Sequence, residues 1–580
     1  MKAKLIIENI TEDYGRNLLK SRGIEDVDRF LNPTEDCLQD WRDLDNIERG
    51  VNCILHLPTS GNIAIVVDCD VDGFTSAAII GQYLQRFYPK MFIKYYIHSG
   101  KAHGLEEHWE EIRDENFDMV ILPDAGSNDT QYAEQINAPV LILDHHIAER
   151  EPSNNMIIVN NQTSDKYHNK SLSGAGVTYQ FCRALDFHLR HSWADDYIDL
   201  AALGICADMM SGLEIENQYF WKKGFANVKN PFFMALALKQ AYSITGKSTT
   251  NWGEIIEALN PTSVAFYIVP LINAMVRIGT MEEKERMLLA FLDGHKLIPC
   301  NKRGAKGTLE EAAIESTREC VNARTHQNKY KDEAVARLEQ KIFKYDLLEN
   351  KILFVRLDED DVFPSELNGL IAMQLSQKYK RPTIVARLND EGYIRGSIRG
   401  LSNSELKSFK EYLDSTGLFE YVLGHDNAAG CSIANKDLAL FHQKANADLS
   451  EYNFGEDYYE VEFARQALAK DLPDLINDLA QYKNVWSQQC NEPLIYIKDF
   501  HFTMDDVQIM GRNKDTIKIV KEGIAYMKFF AKSLIQELQQ YDHVKMEIVG
   551  KANLNEWMGK VTPQIFIENY EIKEDKLSDF

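Results

Sequence analysis

Acidic and histidine residues stand at the ends of three short apolar runs, and this arrangement constrains the fold more than any other feature of the chain. The runs are NIAIVVD (62–68), DMVILPD (118–124) and PVLILD (139–144). Uninterrupted apolar runs of this length are typical of strands buried on both faces of a parallel sheet. The helical pattern FTSAAIIGQYLQRF (74–87) after the first run favours an α/β fold. Because open α/β sheets place their sites at the carboxyl ends of the strands, we expect these polar residues to meet there.

The candidate metal ligands share a position at the end of a predicted strand or helix: Asp68, Asp70, Asp124, Asp144, His145, His146 and Asp208. Carboxylates and imidazoles without cysteine suit Mn²⁺ or Mg²⁺ better than structural zinc. Asp68 and Asp70, at i and i+2, are predicted to point to one side, and Cys69 to the opposite, inward face. A single aspartate at a strand end is often only a turn residue. That explanation does not account for DCDVDG, PDAG, DHH and GICAD occurring in this order along the chain.

Composition narrows the class of protein. The chain has 580 residues, 44% hydrophobic and 26% charged, as in globular proteins of several domains. Its net charge of −24 argues against a general coating protein for nucleic acid, so any binding surface must be locally basic. Nine cysteines without a CxxC pair favour a reducing cytoplasm. No apolar stretch approaches the ~18 residues that span a bilayer, and acidic residues near the start disfavour a signal peptide, so we expect a cytoplasmic protein without membrane segments.

Breakers and apolar patterns divide the chain into segments. Between Thr308 and Phe363 there is neither Gly nor Pro, and the part to about Leu348 has the composition of a long helix. A second α/β stretch follows, and β-rich segments after Leu494 indicate a small barrel. The predicted segments are an N-terminal piece (1–50), a first α/β domain (51–307), the long helix (308–348), a second α/β domain (349–445) and a helical piece with the barrel (446–580).

Several motifs together resemble a known family. DCDVDG (68–73), the isolated Asp124, DHH (144–146) and GICAD (204–208) resemble the four motifs of the DHH phosphoesterase superfamily. Other segments resemble its RecJ branch: RGIEDVDRFLNP (22–33), SLSGAGVTYQF (171–181), PLINAMVRIG (270–279), GSIR (396–399), GHDNAAG (424–430) and NEWMGKVTPQIFIENYEI (555–572). The resemblance implies a DHH-type parallel-sheet domain, joined by the long helix to a DHHA1-like α/β domain, with a C-terminal OB-like β-barrel.

The resemblance also implies a centre of two Mn²⁺ or Mg²⁺ ions. Its first metal site would use Asp68 and Asp124, and its second would use Asp70, Asp124, His145 and Asp208. His146 would contact the scissile phosphate, and Asp144 would orient a neighbour or be structural. Other members of the superfamily have a histidine where this chain has Ala64, so we expect the first site to be short of ligands and weakly occupied without substrate.

The implied substrate contacts lie in several motifs. Arg277 matches an arginine that clamps a phosphate, although Met275 and Val276 replace the family's small Ala-Gly pair. Ser397, Arg399, Gly424 and His425 match residues that hold phosphate in the DHHA1 domain, although Leu423 replaces a glycine. Lys101 and His103 lie where the family has a substrate loop.

Two weaker signals remain open. Lys514, Lys518 and Lys521, with Tyr526, Phe529 and Phe530, form either a cationic groove with stacking faces or part of the barrel's core and surface. Gly174 and Gly176 make a GxG, which favours helix packing over nucleotide binding.

The resemblance implies a metal-dependent exonuclease that degrades single-stranded DNA, 5′→3′, to mononucleotides in DNA repair, recombination or replication. A helicase or a single-strand-binding protein is a further partner class that the resemblance suggests. Two alternatives stay open. One is a DHH-type oligoribonuclease or cyclic-dinucleotide phosphodiesterase, and the other is a non-catalytic nucleic-acid-binding replication scaffold.

Overall fold

Five parallel strands form the first sheet, in the order β3-β2-β4-β5-β6. The strands are β2 (Asn62–Val67), β3 (Phe92–Ile97), β4 (Met119–Pro123), β5 (Val140–Asp144) and β6 (Met156–Asn160). Alternate residues of β2 enter different apolar clusters, with Ile63 and Ile65 on one face and Ala64 and Val66 on the other. Both faces are therefore buried, as the uninterrupted apolar runs predict.

The protein is described here by a computed structural model, which covers residues 1–7, 10–100, 102–557 and 560–573. Residues 28–328 and 484–491 make one unit, called here the first unit, and residues 1–27, 329–483 and 492–580 make the second unit. Both units combine segments that are distant in sequence, so they group the chain differently from the five contiguous ranges predicted above.

Helices cover both faces of the parallel sheet and extend the first unit. The helices from the start of this unit to its end are α2 (Val27–Leu31), α3 (Ile47–Leu55), α4 (Val71–Phe87), α5 (Trp109–Asp114), α6 (Thr130–Ala133), α7 (Gly174–Leu189), α8 (Ile198–Ala207), α9 (Ile215–Ala226), α10 (Pro231–Lys239), α11 (Ala241–Thr245), α12 (Trp252–Ala258), α13 (Pro261–Ser263), α14 (Val269–Ile278) and α15 (Met281–Leu292). The hairpin of β7 (Leu297–Pro299) and β8 (Leu309–Glu311) follows.

The predicted long helix is present as α16 (Ala312–Lys344), which is 33 residues long. It begins later than predicted because Leu309–Glu311 pairs with Leu297–Pro299 as a strand. The window Pro261–Ile278 is apolar enough by length and composition to span a bilayer, with a mean hydropathy of 1.3, and is the one such window in the described residues. More than half of it is buried inside the protein, as in a core helix.

The second unit contains two further sheets. One has the order β12-β13-β11-β10-β9 and is antiparallel except for the pair β9 and β10. Its strands and helices are β9 (Leu353–Leu357), α17 (Asn368–Tyr379), β10 (Thr383–Leu388), β11 (Tyr393–Arg399), α18 (Phe409–Ser415), β12 (Phe419–His425), β13 (Ala428–Ala434) and α19 (Leu438–Asp448).

The other sheet is C-terminal and has seven strands in the order β15-β16-β20-β21-β19-β18-β17. Its elements are β15 (Phe463–Gln466), α20 (Leu472–Ala480), β16 (Ile495–Thr503), β17 (Val507–Met510), β18 (Thr516–Lys521), β19 (Ile524–Lys528), α21 (Lys532–Leu538), β20 (His543–Trp557) and β21 (Lys560–Lys573). The N-terminal β1 (Lys2–Leu5) pairs with β14 (Tyr458–Val461), and α1 (Tyr14–Ser21) follows β1. The mixed α/β class of the chain is as predicted.

Candidate metal centre

Three neighbouring strands of the first sheet deliver the predicted ligands to one edge. Asp68 follows β2 directly, Asp124 follows β4, and Asp144 is the last residue of β5. Asp208 caps the carboxyl end of α8, as the sequence predicts. Asp70 is the N-cap of α4, and its Oδ1 accepts the Gly73 N–H at 3.0 Å. The arrangement is the one that parallel strands make possible, since their carboxyl ends lie at the same edge.

Cys69 corrects one prediction. The strand ends at Val67, so the alternation that would turn Cys69 inward no longer applies. Cys69 is half-buried, and its Sγ lies 3.7 Å from both ring nitrogens of His103. Burial raises the pKa of the Cys69 thiol, so the neutral thiol is favoured. The expectation that Cys69 faces the core is wrong.

Glycines let helices approach the ligands closely. A Cβ on Gly73 would lie 2.6 Å from Cβ of Asp68, and one on Gly174 would overlap Oδ1 of Asp124. Gly174 therefore has a packing role at the centre, in line with the preference for packing in the GxG motif.

Asp72 is a site residue that the sequence analysis did not single out. It is buried, and its carboxylate accepts the Ser173 hydroxyl at 2.8 Å and the Ala175 N–H at 3.2 Å. A carboxylate oxygen of Asp72, a ring nitrogen of His145 and a carboxylate oxygen of Asp208 all lie within 4.8 Å of one another. The sequence did not predict this role of Asp72, because the residues that hold its carboxylate are at the start of α7, about 100 residues away.

Repulsion among these carboxylates is strong. Burial, with the charges of Asp68 and Asp72, raises the pKa of Asp70 to about 6. Burial, with the charges of Asp72 and Asp70, raises the pKa of both Asp124 and Asp208 well above the usual range. A cluster of this kind favours either protons or a bound cation.

The two histidines of DHH have different environments. His145 lies with its Nε2 3.2 Å from Asp124 Oδ1 and 3.4 Å from Asp208 Oδ2. Burial lowers the pKa of His145, which favours the neutral imidazole that a metal ligand requires. His146 is half exposed, and its Nδ1 lies 2.8 Å from Asp144 Oδ1.

Asp144 organises the DHH segment. Its Oδ1 accepts the N–H groups of His145 and His146, and its Oδ2 accepts the N–H of Ser127. Burial acts to raise the pKa of Asp144, but the hydrogen bond and charge of His146 outweigh it and keep the pKa below its usual value. Burial likewise acts to lower the pKa of His146, but Asp144 raises it to about 9. These are the contacts of an orienting residue rather than of a free ligand.

His103 contacts the first predicted metal site. Its Nδ1 lies 2.8 Å from Oδ2 of Asp68, and its side chain is 61% exposed. The hydrogen bond to Asp68 raises the pKa of His103 to about 11. Lys101, the other candidate of this loop, lies outside the described residues.

Arg277 is on the last turn of α14 and faces the centre. Burial and the neighbouring charge of Arg324 lower the pKa of Arg277, while Asp70 acts in the opposite direction. Among the described residues Arg277 has no hydrogen-bonding or ion-pairing partner, and Arg324, on α16, donates to the neutral Gln327. Two neighbouring arginines that make no ion pair within the described residues favour an anion such as a phosphate. Arg324 was missed because α16 reads in sequence only as a connecting helix.

The four candidate phosphate contacts of the second unit meet on its five-stranded sheet. Ser397 and Arg399 are on β11, while Gly424 and His425 end β12. Strand β13 lies between β11 and β12, and its Ala428 pairs with Arg399 on one side and with His425 on the other. Arg399 and His425 are therefore at the same level of the sheet. Gly424 has φ 134, and a Cβ there would lie 2.8 Å from the Ala428 carbonyl oxygen, so this position near the end of β12 requires glycine.

The aromatic residues of the C-terminal sheet separate into core and surface. Tyr526 is buried, with its ring centroid 4.2 Å from that of Phe500. Phe529 is 50% exposed and Phe530 is 89% exposed. Of the lysines, Lys521 is paired with Asp506 at 3.2 Å. Phe530 is therefore available for stacking, and Tyr526 is not.

Comparison with known proteins identifies the family. A model of the DHH family, N-terminal domain, matches residues 62–205, and a model of the RecJ OB domain matches residues 467–569. The chain is 35% identical over 593 aligned residues, 99% of each chain, to a Bacillus subtilis (strain 168) protein named "Putative SPbeta prophage-derived single-strand DNA-specific exonuclease YorK". The chain belongs to the RecJ family of DHH phosphoesterases.

More distant RecJ proteins agree with this assignment. The single-stranded-DNA-specific exonuclease RecJ of B. subtilis is 24% identical over 534 residues, which are 89% of this chain and 62% of that protein. The crystal structure of RecJ from Thermus thermophilus in complex with Mn²⁺ has a TM-score of 0.71 at 18% identity and covers 99% of this chain and 80% of that one. A Mg²⁺ complex of the same protein has a TM-score of 0.64. At this level of identity the likeness shows the RecJ fold.

The residues at the sheet edge fit divalent metal ions. In an octahedral site with bonds of about 2.1 Å, adjacent ligand atoms lie about 3 Å apart. The distances from His145 Nε2 to Asp124 Oδ1 and Asp208 Oδ2, 3.2 and 3.4 Å, are close to that value. Asp124 Oδ1 is buried and makes no regular hydrogen bond within the described residues, although His145 Nε2 lies 3.2 Å from it, and burying such a carboxylate is costly unless a cation accompanies it.

Proposed function

We propose that this RecJ-family protein is a Mn²⁺- or Mg²⁺-dependent exonuclease that degrades single-stranded DNA from the 5′ end to mononucleotides in DNA repair, recombination or replication. The observation that carries the proposal is the convergence of Asp68, Asp70, Asp124, His145 and Asp208 at one sheet edge, where Asp124 and Asp208 lie 3.2 and 3.4 Å from His145 Nε2. The names of the relatives, which specify single-strand DNA exonucleases, support the substrate class.

In the proposed mechanism Asp68 and Asp124 would hold the first metal ion, and Asp70, Asp124, His145 and Asp208 would hold the second. Two divalent ions held there would supply an activated water nucleophile and would neutralise charge that develops in an in-line displacement at phosphorus. Burial holds His145 neutral for ligation, and close packing by Gly73 and Gly174 fixes Asp68 and Asp124.

The remaining residues position the strand. His146, held by Asp144, donates a hydrogen bond to the scissile phosphate and stabilises its developing charge. Arg277, with Arg324 beside it, binds a phosphate of the strand. Ser397, Arg399, Gly424 and His425 are proposed to hold the 5′-phosphate, with the candidate loop residue Lys101 as a further phosphate contact.

The proposal is tested by Mn²⁺-supported digestion of single-stranded DNA labelled separately at its 5′ and 3′ ends, beside duplex and RNA substrates. We expect immediate release of mononucleotide from the 5′ label, gradual shortening of the 3′-labelled strand, and no digestion by Asp124→Ala. Asp165→Ala, an exposed aspartate of the same unit, is the matched control and should digest normally. Binding without cleavage by the wild type would favour the scaffold alternative, and a preference for short RNA would favour the oligoribonuclease alternative.

A further inference from the structure

We infer that His103 is a protein ligand of the first metal site, beside Asp68 and Asp124, and that it supplies the imidazole that position 64 does not. This inference rests on the proposed function, because it concerns the same metal centre. It revises the expectation that the first site is short of protein ligands.

Position 64 offers no donor to the centre. Ala64 is fully buried on the face of β2 that packs with Val66 and Val120, and it has no polar side-chain atom. A metal held only by Asp68 and Asp124 would depend on water for the rest of its coordination.

His103 places a ring nitrogen beside the Asp68 carboxylate, one of the two proposed ligands of the first site. Its Nδ1 and Asp68 Oδ2 are 2.8 Å apart, close to the spacing of about 3 Å between adjacent ligand atoms of an octahedral ion. A carboxylate oxygen of Asp68, the Cys69 sulfur and a ring nitrogen of His103 also lie within 4.8 Å of one another. Because Asp68 and His103 come from different loops at the same sheet edge, this spacing is a tertiary feature.

The backbone after His103 is fixed. The Gly104 N–H points to Asp68 Oδ1 at 3.4 Å, and the Leu105 N–H donates to Asp129 Oδ2 at 2.7 Å. Leu105 is fully buried, and Gly104 has φ 62, with Asp129 Oδ2 filling the space where a Cβ would stand. This anchoring holds the loop on the carboxylates of the centre, although the imidazole itself is largely exposed.

Asp124, the other proposed ligand of the first site, is also buried. Its Oδ1 makes no regular hydrogen bond within the described residues, although His145 Nε2 lies 3.2 Å from it, and a cation would offset the cost of burying this carboxylate. Imidazole ligands suit Mn²⁺ better than Mg²⁺, which keeps oxygen ligands and water. His103 therefore gives the first site a preference for Mn²⁺.

The test is calorimetric titration of Mn²⁺ and of Mg²⁺ into the metal-free full chain without DNA. The variants are His103→Ala and His103→Gln, since glutamine can keep a hydrogen bond to Asp68 but removes the imidazole. His295→Ala is the matched control, because His295 is an exposed histidine whose Nδ1 lies 3.3 Å from a carboxylate oxygen of Glu311. Circular dichroism checks that each variant is folded.

We expect the wild type and His295→Ala to bind two Mn²⁺ ions per chain. Both His103 variants should bind one ion with unchanged affinity and the other about 100-fold or more weakly, beyond the ~10–100-fold that loss of an outer partner costs. Added imidazole should restore the second ion to His103→Ala, and the preference for Mn²⁺ over Mg²⁺ at that site should be lost in both variants.

Two equal Mn²⁺ sites in both His103 variants would overturn the inference and leave the proposed exonuclease intact. The same conclusion would follow if the wild type bound one ion tightly and the variants behaved identically. If the wild type neither bound Mn²⁺ nor digested single-stranded DNA, the proposed function and the inference would fail together.

Discussion

At the scale of residues, His146 and Asp144 illustrate how one motif separates two tasks. His145 is buried among carboxylates, whereas His146 is turned outward by the Asp144 carboxylate at 2.8 Å. We expect His146→Gln to keep Mn²⁺ affinity and to lower kcat by about 10²–10³-fold, the cost of removing one donor to a developing charge.

A pH profile checks this role. The pKa of His146 is raised to about 9, so the charged donor is present below that pH and is lost as pH rises through it. Bound cations lower this value, so the wild-type rate should fall on an alkaline limb with a midpoint at or below about 9. The limb should be missing in His146→Gln. A variant that keeps the limb, or that loses Mn²⁺, would contradict the assignment.

The carboxylates of the centre predict how stability responds to pH and metal. The pKa of Asp70 is raised to about 6, and that of Asp124 is raised well above its usual value. An acid whose folded pKa exceeds the unfolded value of about 3.9 stabilises the folded state when protonated, so stability is lost as pH rises through the folded pKa. In EDTA, Asp124→Asn should therefore raise the midpoint of thermal unfolding more at pH 8 than at pH 5.

Mn²⁺ should stabilise the wild type rather than Asp124→Asn. It binds the folded state only, so it should raise the melting midpoint of the wild type, and more at pH 8 than at pH 5, because protons compete with it at the lower pH. Asp124→Asn should show little shift with Mn²⁺. Thermal unfolding followed by circular dichroism measures both effects. A lower midpoint of Asp124→Asn in EDTA at pH 8 would show that the cluster is not under repulsion.

At the scale of elements, Glu216 fastens the start of α9 to distant segments. Its carboxylate accepts the Gln39 N–H, the Tyr167 hydroxyl, and the side-chain amides of Asn169 and Gln180, at 2.8 to 3.0 Å. The adjacent Asn217 donates to the carbonyl oxygens of Ser171 and Ser211, and so holds the loop that follows Asp208.

Removing this carboxylate should destabilise the first unit. Glu216→Ala leaves buried donors unpaired, and we expect a loss of about 3–5 kcal/mol in the free energy of unfolding, or on the order of 10 °C in the melting midpoint. Glu216→Gln should cost less, since one acceptor remains. Glu257→Ala, an exposed glutamate of the same unit, is the control and should change little. Equal melting midpoints for Glu216→Ala and the control would show that the hydrogen bonds of Glu216 do not stabilise the first unit.

The elements also show why sequence patterns identified part of the site. β2, β4 and β5 were predictable because burial on both faces requires uninterrupted apolar runs, and their ends then located Asp68, Asp124 and Asp144. Contacts across the fold were not predictable, since Asp72 depends on α7 and His103 depends on a loop that returns to Asp68. β8 was not predicted, because its residues have the same composition as the helix that follows and its strand pairing is with β7 alone.

At the scale of the whole molecule, a net charge of −24 opposes association with a polyanion. Binding of single-stranded DNA must then rely on local cations, such as Lys518 on β18, and on exposed rings, such as Phe530. These two contributions differ in their response to salt, because only ionic contacts release counterions.

This difference gives the final prediction. If four phosphates are neutralised, the affinity for single-stranded DNA should fall with a log–log slope of about −2.8, or about 50-fold between 50 and 200 mM salt. Lys518→Gln should reduce the slope by about 0.7. Phe530→Ala should weaken binding by about 1–3 kcal/mol at every salt concentration and leave the slope unchanged. Phe92→Ala, which removes an exposed phenylalanine of the first unit, is the matched control. Fluorescence anisotropy in EDTA measures binding without digestion, and an affinity that barely changes with salt would show that phosphate contacts do not drive it.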